Sequence, residues 1–126
     1  MFTEEKKNSQ IYQDSNHKPD TEIVVSNLVK DFYKKKLPIN LHGINSKKYI
    51  GYNVQAAKTL DLSNLNGVIE YLPEELYIKV LAGTPIKIIE DLLEKHNQQL
   101  AFEPLDFGYI NDGKSNKGSA AGCVAT

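Results

Sequence analysis

Gly83-Thr84-Pro85 fixes the middle of the chain, because a strand has to end there and a helix has to begin. Threonine is a good N-cap, and proline is favoured at the first helical position, where its missing N–H loses no partner. Downstream, Ile88, Ile89, Leu92, Leu93 and His96 recur at the spacing of one apolar helix face. Lys95 and His96 close the last turn, and Asn97 suits the left-handed position beyond it. Upstream, residues 76–81 alternate, which predicts a strand with Leu76, Ile78 and Val80 on one face.

The flanking segments supply what such a unit packs against. Residues 22–36 carry Ile23, Val24, Leu28 and Phe32 near helical spacing and end in a lysine run, read as the solvated end of a helix. Residues 37–42 predict a short strand with Pro38 near its start. Residues 58–62 and 68–71 predict two more strands around the turn Ser63-Asn-Leu-Asn-Gly67. Residues 98–126, rich in Gly, Asn and Ser, read as irregular. The order of elements predicts a mixed α+β domain over residues 22–126, preceded by a disordered polar leader over 1–21.

Charge and cysteine usage exclude several functions. A net charge of −1 leaves no basic face for nucleic acid. All fifteen basic residues are lysine, so an anionic ligand must be held by backbone N–H groups and point charges instead of an arginine fork. Cys123 stands alone, the first residues are acidic and polar, and no apolar run reaches membrane-spanning length, which together predict a cytoplasmic protein. His17, His42 and His96 lack carboxylates or cysteines at ligand spacing, so no metal site is expected. No nucleophile with a neighbouring base is present, and no catalytic acid or base can be named.

Two loops could hold phosphate. Gly108-Tyr-Ile-Asn-Asp-Gly113-Lys114-Ser115 fits the G-x-x-x-x-G-K-S pattern of nucleotide hydrolases. That motif needs a buried strand before it and a helix starting at the Lys-Ser; here Pro104 and two acids precede it and Gly118 follows, so the match is read as coincidental. The loop 43–51 follows a predicted strand directly, is bounded by Gly43 and Gly51, and carries Asn45, Ser46, Lys47 and Lys48. Successive N–H groups in such a loop make an anion-binding concavity. A plain connection with solvated lysines is the alternative that spacing alone leaves standing.

Three segments in order resemble the FAD-binding domain of the vanillyl-alcohol-oxidase or PCMH type, in the branch of the FAD-binding subunits of bacterial glycolate oxidases. They are Pro38-Ile-Asn-Leu-His-Gly-Ile-Asn-Ser-Lys47 with Gly51; Gly67 through Gly83-Thr84-Pro85 to Pro104 with Asp106-Phe-Gly108; and Gly118-Ser-Ala-Ala-Gly-Cys-Val-Ala125. The resemblance implies FAD contacts from the backbone of Gly43, Ile44, Asn45, Ser46 and Lys47 to the diphosphate. It also implies a close approach of Gly118, Ser119, Ala120, Ala121 and Gly122 to the other side of the cofactor. Non-covalent FAD, a parent enzyme that oxidises a 2-hydroxy acid, and partner flavin and iron–sulfur subunits follow as expectations. Two departures stand out: Ser119-Ala-Ala-Gly122 where the family has Thr-hydrophobic-Gly-Gly, so that alanine replaces the first of the paired glycines, and a longer segment 109–117. The chain is expected to be the amino-terminal part of such a domain, with an inactive remnant, or a small nucleotide-binding protein using Gly108–Ser115, as alternatives.

Overall fold

The structure, a computed structural model, describes residues 16–125. Two small sheets form within them. In the first, β1 (Asn16–His17), β2 (Ile39–His42) and β3 (Lys58–Asp61) lie parallel in the order β1-β3-β2. Leu60, 1% exposed, sits in the central strand opposite His17 and Leu41. Parallel neighbours need a crossover between them. Helix α1 (Glu22–Lys34) links β1 to β2, and the 15 residues 43–57 link β2 to β3 without regular structure.

Structured chain therefore begins before the expected domain start at residue 22, and residues 1–15 of the expected leader lie outside the described residues. Thr21 caps α1, its Oγ1 accepting from the Val24 amide at 3.3 Å. Phe32 is buried and stacks obliquely on the His17 ring, with centroids 5.2 Å apart. Val25, Leu28 and Phe32, at i, i+3 and i+7, form the inward stripe. Ile23 and Val24, expected on that face, are 74% and 41% exposed, because 100° per residue carries Ile23 to the side opposite Phe32.

The second sheet is an antiparallel hairpin of β4 (Val68–Leu72) and β5 (Tyr77–Val80), joined by a 3₁₀ turn at Pro73–Glu75. Leu76 does not begin the strand as expected. It takes the left-handed conformation (φ 54°) that ends the 3₁₀ turn, and its side chain stands in solvent. Helix α2 (Ile86–Glu94) packs on the hairpin through Ile86, Ile89 and Leu93, joined by Ala120 and by the half-buried Tyr71, Ile78, Val80 and Cys123. Ile88 points away, two-fifths exposed, and His96 is exposed. Asn97 adopts the left-handed position expected for it (φ 54°).

Thr84 is not the N-cap. Pro85 is, without a side-chain bond, and Thr84 is fully buried under the hairpin instead. Its hydroxyl donates to Leu81 O at 2.7 Å, with Gly67 O also within reach at 3.1 Å, and accepts from Gly67 N at 3.0 Å. Buried and held between Gly67 and Leu81, the hydroxyl is turned to the hairpin ends and not to the helix start.

Residues 98–125 are more ordered than their composition predicts. They include α3 (Gly108–Asp112) and α4 (Ala120–Val124). Ile86 N donates to Gly118 O (2.9 Å), Ala120 N to Thr84 O (2.8 Å) and Ala121 N to Ala82 O (3.1 Å). These bonds lay 118–121 along 82–86. No helix among the described residues is long and apolar enough to cross a membrane.

Candidate functional site

Strand β2 delivers the chain into the loop 43–51, which wraps one side of an open cleft of about 480 Å³. Gly43, Ile44, Asn45, Ser46 and Lys47 all line it. Asn45 is left-handed (φ 61°), a turn that swings consecutive N–H groups toward one side. The amides of Ile44, Asn45 and Ser46 donate to no other described residue. An amide left without a protein partner at the wall of a cleft is a donor for whatever enters it.

The opposite wall is Ser119 and Gly122. Lys47 bridges the two walls, donating from Nζ to the Gly122 carbonyl at 3.0 Å, and lies 5.8 Å over the Phe107 ring. The walls also mesh through paired glycines and serines. A Cβ on Gly43 would land on Ser119 Oγ, and one on Gly118 (φ 82°) would lie 2.7 Å from Ser46 Oγ. Each serine occupies the space that a side chain on the facing glycine would take, so the two segments approach backbone to backbone.

The second predicted group is thereby divided. Gly118 N is held by Asn116 Oδ1 (3.0 Å), and the amides of Ala120 and Ala121 are held by Thr84 and Ala82. Ala120 lies in the α2 core. Among the five residues Gly118 to Gly122, Ser119 and Gly122 reach the cleft while Gly118, Ala120 and Ala121 fasten their segment to the fold.

Sequence reasoning missed several cleft residues. Asn40, Ile50, Val54 and the fully exposed Tyr52 line its mouth. His42 lies at its floor, Nδ1 3.0 Å from Gly43 O and 3.9 Å from Asp61 Oδ1. Partial burial by itself would raise the Asp61 carboxyl. The Ser63 amide and hydroxyl and the charges of His42 and Lys18 outweigh it and hold the pKa below the usual carboxylate value. His42 and Asp61 carry no local pattern, since they meet only through the β2–β3 pairing.

The other phosphate-loop pattern has no cradle. Its helix, α3, runs before Gly113 and ends there (φ 68°), whereas a phosphate-binding loop of that kind needs a helix starting at the Lys-Ser. Lys114 is exposed, and the Ser115 hydroxyl donates to Asp106 Oδ2 at 2.5 Å. Among the described residues no three His, Cys, Asp or Glu side chains gather at metal-binding distance.

The cleft between residues 43–47 and Ser119–Gly122 presents unengaged amides at 44–46, two adjacent lysines, and a glycine whose Cβ would meet Ser119 Oγ, which is donor chemistry suited to an anion. Residues 17–111 match the FAD binding domain family. The chain belongs to that family. Its loop 43–51 lies inside the match, and residues 118–122 lie beyond it. The chain is also 40% identical over 73 residues, 58% of its length, to glycolate oxidase subunit GlcE of Escherichia coli (strain K12). It covers 21% of that relative, so it spans about one-fifth of the relative's length. The family match supports FAD as the cofactor, and the mixed α+β build is the fold class expected from the sequence.

Proposed function

We propose that this chain supplies the diphosphate-binding wall of a cytoplasmic flavoprotein of the glycolate-oxidase type, whose whole acts on a 2-hydroxy acid such as glycolate. The observation that carries the reading is the row of unengaged amides at Ile44, Asn45 and Ser46, inside the family match and beside Lys47. FAD, when bound, supplies the redox chemistry by accepting a hydride. This chain's residues bind and orient. The amides of residues 44–47 receive the diphosphate oxygens, Lys47 and Lys48 add positive charge, and Gly43 lets the backbone come close. Ser119 and Gly122 form the facing wall, and no residue of this chain is assigned as catalytic acid or base.

The cofactor is held without a covalent bond. Flavin attachment uses a histidine or cysteine side chain, and residues 43–51 contain neither. Cys123 is half-buried against the α2 core. The relative's name, a subunit, supports assembly with further subunits; flavin and iron–sulfur subunits are the partners the resemblance implies. Because the chain spans about one-fifth of that relative, glycolate oxidation is assigned to the assembled enzyme and not to this wall alone.

The test is a titration of the chain with FAD and with riboflavin, followed by acid precipitation of the complex. FAD is expected to bind more tightly than riboflavin, which has no diphosphate, and all flavin colour should leave with the supernatant. Equal affinity for the two would remove the diphosphate reading, and flavin kept in the pellet would remove the non-covalent one.

A further inference from the structure

The family match ends at residue 111, inside a loop that closes on itself. Asp106 makes the closure. Its Oδ1 accepts from the amides of Gly108 (3.0 Å) and Asn116 (2.8 Å), and its Oδ2 from the Ser115 hydroxyl. Lys117, next along the chain, pairs with Glu90 of α2 at 2.8 Å, which fixes the closed base to the core. From this base α3 reaches the cleft. Asn111 Nδ2 donates to the Ser46 carbonyl at 2.5 Å, across 65 residues of sequence. The Phe107 ring lies under Lys47 Nζ, and Asp112 Oδ1 stands 3.9 Å from Lys48 Nζ. Three consecutive residues of the diphosphate loop thus each meet a residue of the closed loop.

We propose that residues 106–116 form a clasp that sets the diphosphate loop in its anion-binding conformation, with Asn111 as the positioning residue; this rests on the cofactor reading above. The peptide unit between Ser46 and Lys47 is planar and trans, so its C=O and N–H point in opposite directions. Pinning the Ser46 oxygen on Asn111 therefore fixes the direction of the Lys47 N–H as well. Ordering a loop residue costs backbone entropy. A clasp that orders the loop beforehand removes that cost from binding, and the gain appears as affinity. Asn111 touches no ligand in this account; it acts through the Ser46–Lys47 peptide.

The experiment titrates the full chain, Asn111→Leu and Asn111→Ala with FAD and with riboflavin, and measures backbone amide order parameters for residues 44–48 without ligand. Lys87→Ala is the control, since its exposed pair with Asp91 on α2 lies outside both the clasp and the diphosphate loop. Loss of the Asn111 bond is expected to weaken FAD binding about tenfold. Riboflavin affinity should not move, order at residues 44–47 should fall, and the thermal midpoint should hold. Lys87→Ala should leave FAD affinity within about twofold. Unchanged FAD affinity in both Asn111 variants, or an equal loss for riboflavin, overturns the clasp. If the unaltered chain binds no FAD, the cofactor reading falls by itself. Lowered order at 44–47 in the variants then upholds the clasp as an ordering device, and unchanged order overturns that too.

Discussion

The hairpin β4–β5 with α2 and the loop between β2 and β3 are neighbours held by different forces. Around α2 the chain buries Ile86, Ile89 and Leu93 against Ala120 and the hairpin, and Thr84 is fully enclosed beside them. Each such aliphatic side chain contributes about 1.5–3 kcal/mol by leaving water. The loop 43–51 buries Ser46 but no large apolar side chain, and Tyr49, Ile50 and Tyr52 stand exposed. It is placed by polar contacts from far along the chain: Asn111 on Ser46, Lys47 on Gly122, Ser119 against Gly43. One region is fixed by burial and is locally specified. The other is fixed at a few points, which leaves its amides available to a ligand.

Substitutions should therefore separate stability from binding. The largest expected effect is in the α2 core. Ile89→Ala opens a cavity at a site 4% exposed and should cost about 2–5 kcal/mol in denaturant unfolding. A cost below about 1 kcal/mol would show that α2 is not the stabilising region. Next comes Gly43→Val, whose side chain falls on Ser119 Oγ and thrusts the two walls apart. FAD affinity should drop by about tenfold or more while most of the stability remains, because the clash is confined to the cleft and leaves the α2 core in place. A large loss of stability with unaltered affinity would reverse the comparison.

The smallest effect is set by acid. Among the described residues, the two carboxyls held below the usual value, Asp61 and Asp106, both belong to the loop side. Asp61 ends β3, where the Ser63 and His42 contacts outweigh its burial. Asp106 closes the clasp, its pKa lowered first by the Ser115 hydroxyl and then by the Asn116 amide. A lowered folded-state pKa means stability that is present at neutral pH and lost as pH falls below about 4 toward that pKa. Amide resonances of Ser63 and Asn116 should titrate below the ordinary carboxylate range, with the α2 core still folded. Core and loop resonances collapsing together would contradict the separation.

The same division explains what could be read in the sequence. Several regular elements were legible as local patterns: the apolar spacing of α1, the alternation in β5, and the face carrying Ile89 and Leu93 in α2; β1, α3 and α4 were not. Errors fell where tertiary contacts override a local preference. Thr84 has the chemistry of an N-cap but ties the ends of the hairpin, and Leu76 completes an alternation but turns left-handed to end a 3₁₀ turn. The loop 43–51 was legible because glycines, asparagine and lysines at a strand end are a backbone signal. Asn111 and Phe107 were not, because what they do depends on a fold that brings residue 111 to residue 46. Gly118, Ala120 and Ala121 look like cofactor neighbours by size, yet their amides are taken up by Asn116, Thr84 and Ala82.

The central claim is that FAD enters through its diphosphate at residues 44–47 and faces Ser119 and Gly122. The most direct measurement follows the backbone amide resonances of the full chain as FAD is added. The largest shifts are expected at Ile44, Asn45, Ser46 and Lys47, with a second set at Ser119 and Gly122. Residues in the α2 core and around Lys114 should barely move. Shifts centred on Gly113, Lys114 and Ser115, or none at 44–47 at saturation, would contradict the account.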